Sequence, residues 1–64
     1  MKEQEIIDAA NRVVGLGGMT VNERLYLSGL SDEFEKAVKK DKAKARKILE
    51  CLKVDKPSID KILA

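Results

Sequence analysis

The sequence predicts an all-α domain: a small bundle of three helices, at about residues 3–14, 21–40 and 42–53, plus a short C-terminal helix at about 57–63. Two observations lead there. Apolar residues recur three and four apart, the helix period, rather than in alternation. The segments that carry this pattern are separated by capping and breaking residues: Gly15 to Gly18, Asp41, and the Asp55-Lys56-Pro57 step.

Residues 3–14, EQEIIDAANRVV, place Ile6, Ile7, Ala10, Val13 and Val14 on one face and Gln4, Asp8, Asn11 and Arg12 on the other. Glu3, Glu5 and Asp8 suit the positive N-terminal end of a helix dipole. Gly15 is the expected C-terminal cap, and Leu16-Gly17-Gly18 is a loop. The glycines do not read as a phosphate cradle, because no strand precedes them and no lysine follows in the required place. Met19 stands directly before a capped helix. That position suits a start of translation, with residues 1–18 as an upstream extension. The regular amphipathic pattern of 3–14 favours the other reading, in which Met19 is a loop residue stapling the helix start.

Thr20 to Lys40 is expected to form one long helix around which the rest is organised. Thr20 and Glu23 make a capping box. Counted from Val21 at about 100° per residue, Tyr26, Leu27, Leu30, Phe34, Ala37 and Val38 fall within an arc of roughly 120°. Asp32 with Lys36 and Glu35 with Lys39 are acid-first pairs four apart on the far side. Gly29 and the flanking Ser28 and Ser31 argue for a break, but the apolar arc stays in phase through them. On an unbroken helix, Leu25, Gly29 and Asp32 form a second, shallower face. Glu23 falls inside the apolar arc, where its carboxylate needs a partner such as Arg24 or Arg12. The third helix carries Ala45, Ile48, Leu49 and Leu52 on its core side, with Cys51 at the edge. The last helix opens on Asp55 and Pro57 and turns Ile59, Ile62 and Leu63 inward.

Asn22-Glu23-Arg24-Leu25-Tyr26, Gly29-Leu30 and Asp32-Glu33-Phe34 together resemble an N-E-R-L-[YF]-x-x-G-L-x-[DE]-E-F-like stretch near the start of a set of short bacterial proteins without assigned function. The likeness continues more loosely through Ile48-Leu49, Val54-Asp55, Ile59 and Ile62-Leu63, and so spans roughly 19–64. It implies a helical fold and a bacterial, cytoplasmic origin. It supplies no catalytic residues.

Sixty-four residues make one domain with a limited core, and with two aromatic residues, Tyr26 and Phe34, self-association is an attractive way to bury more surface. Cys51 is the single cysteine, so an internal disulfide is excluded and a reducing compartment fits. No apolar run is long enough for a membrane span. With no histidine in the chain, the commonest acid–base residue at neutral pH is missing. Cys51 reads as a small apolar filler, and no metal-binding spacing is present. The expectation is a chain that is not an enzyme and uses no cofactor or metal.

Charge is unevenly placed. Residues 1–35 hold three basic and seven acidic groups, while residues 36–64 hold ten basic and four acidic. The lysine-rich segment 36–47 supplies a candidate phosphate-binding set: Lys39, Lys40, Lys42, Lys44, Arg46 and Lys47. Against it, Lys44 and Lys47 point away from Lys42 and Arg46 on the helical wheel, and no aromatic is interleaved for stacking. The favoured expectation is a helical interaction module that acts through a protein partner or as a homodimer. Its contact surface is Leu25, Tyr26 and Gly29, with Arg24. The alternative is a weak nucleic-acid-binding protein using residues 36–47.

Overall fold

Ala45, Ile48, Leu49 and Leu52 repeat at three- and four-residue spacing, and all four are fully buried. The helix Lys42–Cys51 that carries the first three is the centre of the fold. The computed structural model describes all residues, Met1–Ala64. It contains five helices and no strand: α1 (Glu3–Asn11), α2 (Val21–Ser28), α3 (Ser31–Lys40), α4 (Lys42–Cys51) and α5 (Lys56–Leu63), with a 3-10 turn at Leu16–Gly18. Helices α1, α3 and α5 each pack on α4, and α2 packs on α3. No helix is long and apolar enough to cross a membrane.

The expected long helix at 21–40 is two helices, and α4 rather than that stretch organises the chain. Gly29 sits in the left-handed region at φ 77° and ψ 16°. Its N–H donates to the Tyr26 carbonyl at 3.1 Å, and the Leu30 N–H donates to the Leu25 carbonyl at 3.0 Å. These two bonds define a Schellman motif, whose accompanying apolar contact falls to Leu25 and Leu30, both buried. A glycine in the left-handed conformation avoids the steric cost other residues meet there. The chain reverses, and an apolar arc drawn through Gly29 no longer describes one surface. In α2 the inward residues are Val21 and Leu25; in α3 they are Phe34, Ala37 and Val38.

A second Schellman motif ends α4. The Lys53 N–H donates to the Glu50 carbonyl at 3.0 Å and the Val54 N–H to the Leu49 carbonyl at 3.0 Å. Here the left-handed residue is Lys53, at φ 65°. The expected helix 42–53 therefore stops at Cys51. The two motifs make opposite predictions. Gly29→Ala meets no neighbouring atom, but its Cβ strains the left-handed conformation by about 1–2 kcal/mol, of which the lost freedom of the unfolded chain offsets about 0.4–1 kcal/mol. Lys53→Gly relieves strain of that size but adds freedom to the unfolded chain, for a net gain of about 0.5–1 kcal/mol. Urea midpoints moving in the same direction for both variants would contradict this account.

The other ends are set by side chains. Asp41 alone joins α3 to α4, and its carboxylate accepts the Lys44 N–H at 3.2 Å. Asp55 accepts the Ser58 N–H at 3.2 Å and its hydroxyl at 2.8 Å, and Pro57 lies in the first turn of α5, which begins at Lys56 rather than 57. The first helix ends at Asn11 instead of residue 14. Val13 and Val14 are β-branched and lose rotamer freedom in a helix. The chain leaves helical geometry there, Val14 faces solvent, and Leu16 packs against the core instead. Ile6, Ala9 and Ala10 form the buried side of α1. Ile62, expected inside, is exposed, while Ile59 is buried and Leu63 partly so.

Candidate functional site

The break at Gly29 rearranges the expected contact surface. Leu25 is only 6% exposed and belongs to the core, so it does not front a surface. Tyr26, expected at the exposed edge of the arc, is 78% exposed, and Leu27, expected inside the arc, is 56% exposed. Asn22, Glu23, Tyr26 and Leu27 are the outward residues of α2, in two rows one helical turn long. Beside them a shallow notch of about 270 Å³ lies between α2 and α3, lined by Asn22, Leu25, Ser31, Phe34 and Glu35. Gly29 contributes the reversal rather than a flat seat for another helix.

Glu23 is exposed rather than buried, and no arginine pairs with it. Its carboxylate accepts the Thr20 N–H at 2.9 Å, while the Thr20 hydroxyl accepts the Glu23 N–H at 3.1 Å. These bonds to Thr20 hold the Glu23 carboxyl below its usual range.

Arg24 is occupied inside the fold. Its Nε donates to the Met19 carbonyl at 3.2 Å. One terminal nitrogen donates to the carbonyls of Leu52 at 3.2 Å and Lys53 at 3.1 Å. The guanidinium thereby ties the start of α2 to the end of α4, where carbonyls lack helical partners and a cation is favoured. A hydrophobic staple would have joined Met19 to an apolar residue at position 24; the contact made there is polar. The sequence carries no local signal of this clamp, because its acceptors are backbone groups 28 and 29 residues away.

The basic set is divided. Lys44 Nζ donates to Glu33 at 2.6 Å, Arg46 to Asp60 at 2.7 Å, and Lys47 lies 3.6 Å from Glu3. Lys42 Nζ donates to the Leu63 carbonyl at 3.3 Å. Lys39 and Lys40 have no such partner and stand exposed at the end of α3. The pairs Asp32–Lys36 and Glu35–Lys39 do not close to salt-bridge distance. A larger hollow of about 380 Å³ lies between Glu3 and Ile6 on one side and Asp41, Lys44 and Lys47 on the other. Glu3 and Lys47 face each other, Lys44 and the Met1 amino group pair with Glu33 outside the hollow, and Asp41 caps α4, which leaves no charged group directed at a ligand. Cys51 packs at the core edge, and burial pushes its thiol up, away from the reactive thiolate.

Glu33 links α3 to α4. The ion pair with Lys44, reinforced by the Met1 amino group at 3.0 Å, lowers its carboxyl from 4.5 to about 2. The unfolded chain therefore takes up this proton first as pH falls. The contribution of Glu33 to stability is complete above about pH 4.5 and disappears as pH falls through about 2. Urea midpoints measured across that range should converge for the wild type and Glu33→Gln. A gap that persists at the acid end assigns the difference to packing rather than to the charge.

The fold and this surface define a small all-helical domain with one outward helix face carrying apolar side chains. Comparison with protein-family models, with curated proteins and with solved structures gives no match. The functional reading rests on the geometry.

Proposed function

We propose that the protein is a non-enzymatic interaction module whose contact surface is the outer face of α2, centred on Tyr26 and Leu27, with the notch beside it. The observation that carries this reading is the exposure of those two side chains, in a chain whose nearby Leu25, Leu30 and Phe34 turn inward. Single exposed leucines are ordinary on protein surfaces. Tyr26 stands one helical turn from Asn22, which lines the notch, and is an amphipathic side chain of the kind enriched at interfaces. Leu25 supports this surface from below, and Arg24 anchors it to α4. The single cysteine, partly buried, suits a reducing compartment such as the cytoplasm.

A photoreactive amino acid at position 26, with position 61 as an exposed control on α5, tests the reading in cells. Adducts specific to position 26 are expected. Identical adduct patterns at the two positions would remove α2 from contention. Nucleic-acid binding through Lys39, Lys40, Lys42, Lys44, Arg46 and Lys47 is less favoured, because four of these six side chains are already engaged. A gel shift with mixed duplex at low salt decides it, and no retardation is expected.

A further inference from the structure

Four exposed charges lie along the outer side of α3: Asp32, Glu35, Lys36 and Lys39. Their spacing places them within an arc of roughly 100°. They surround a single shallow hollow of about 180 Å³ that no other residue lines. None of the four forms an ion pair within the chain. The acids occupy the N-terminal half of this stripe and the lysines the C-terminal half.

A stripe with that order is complementary to itself when reversed. We infer that the protein associates with a second copy of itself through antiparallel α3 helices related by a two-fold axis passing between Glu35 and Lys36. In that register Asp32 of one copy faces Lys39 of the other, and Glu35 faces Lys36. Every contact occurs twice, as a two-fold interface requires. Parallel pairing sets like charges opposite one another and is disfavoured. Glu35 also lines the notch beside α2, so the stripe is continuous with the surface carrying Tyr26. The inference rests on the reading of this side of the molecule as a contact surface, and it specifies the occupant. Exposed ion pairs contribute little each and are screened by salt, so the dimer is weak and salt-sensitive.

The test is sedimentation equilibrium of the full chain over a concentration series at low and high salt. At low salt the average mass is expected to rise towards twice that of one chain, and at high salt to return towards one. The double variants Asp32→Lys with Glu35→Lys, and Lys36→Glu with Lys39→Glu, each carry a stripe of one sign. Each alone should stay monomeric, and their equimolar mixture should regain the doubled mass. Reversed charges oppose the helix dipole, so circular dichroism is measured alongside. If either variant loses helix, the neutral pair Asp32→Asn with Glu35→Gln takes its place and should also abolish the mass increase.

A wild type that remains monomeric at low salt overturns the inference, as does a folded mixture that fails to recover the dimer. Monomeric wild type together with position-26 adducts to another protein would leave the interaction reading standing and remove self-pairing alone. A dimer without such adducts would do the reverse, retaining the α3 interface and removing the α2 face.

Discussion

Leu49→Ala is expected to leave the chain largely unfolded at 25 °C. Leu49 is fully buried on α4, the helix against which α1, α3 and α5 pack, so the lost side chain leaves a cavity shared by several elements. Such a truncation costs about 2–5 kcal/mol. A single core in a chain this short supplies roughly 3–5 kcal/mol of net stability. The two magnitudes are comparable, and the helical far-UV signal should therefore fall sharply without denaturant. Leu27→Ala is the matched control. The residue is the same but exposed, and the change should stay within about 0.5 kcal/mol. A cooperative Leu49→Ala transition shifted by less than about 1 kcal/mol would mean that α4 is not the centre of the core.

Arg24→Ala is expected to cost about 1.5–3 kcal/mol, the range for hydrogen bonds to a charged group. The substitution releases the carbonyls of Met19, Leu52 and Lys53 together and separates α2 from the end of α4. Arg24→Lys should recover only part of the loss, because one ammonium lacks the spread of donors that reaches both sides. Urea midpoints give the magnitude, and amide exchange locates it. The N–H groups of Lys53 and Val54, which close the Schellman motif, should exchange faster in Arg24→Ala. An unchanged midpoint and unchanged exchange would free Arg24 for a partner and return it to the contact surface.

The helical class, three of the N-terminal caps and most of the core were legible in the sequence, whereas the C-terminal end of α1 was not: Gly15 does not cap that helix, which ends at Asn11. Thr20 with Glu23, Asp41, and Asp55 with Pro57 announce helix starts through local chemistry, and each start lies within one residue of its expected position. Ala45, Ile48, Leu49 and Leu52 are spaced so that helical geometry alone gathers them on one side. The candidate surface was less legible. Tyr26 kept its place on it, whereas Leu25 moved into the core and Arg24 into a structural clamp.

Local pattern therefore determined that this chain is helical, where four of its five helices begin and which side of α4 is buried. These properties depend on residues within one or two turns of each other. The reversal at Gly29 is a local Schellman motif, offered by Ser28, Gly29 and Ser31; the tertiary structure decided that Leu25 and Leu30, its two apolar partners, both enter the core. It also decided that Arg24 serves carbonyls at the far end of α4, and that Leu27 faces solvent. Each of these outcomes depends on contacts between segments distant along the chain, which neither helical periodicity nor capping chemistry encodes.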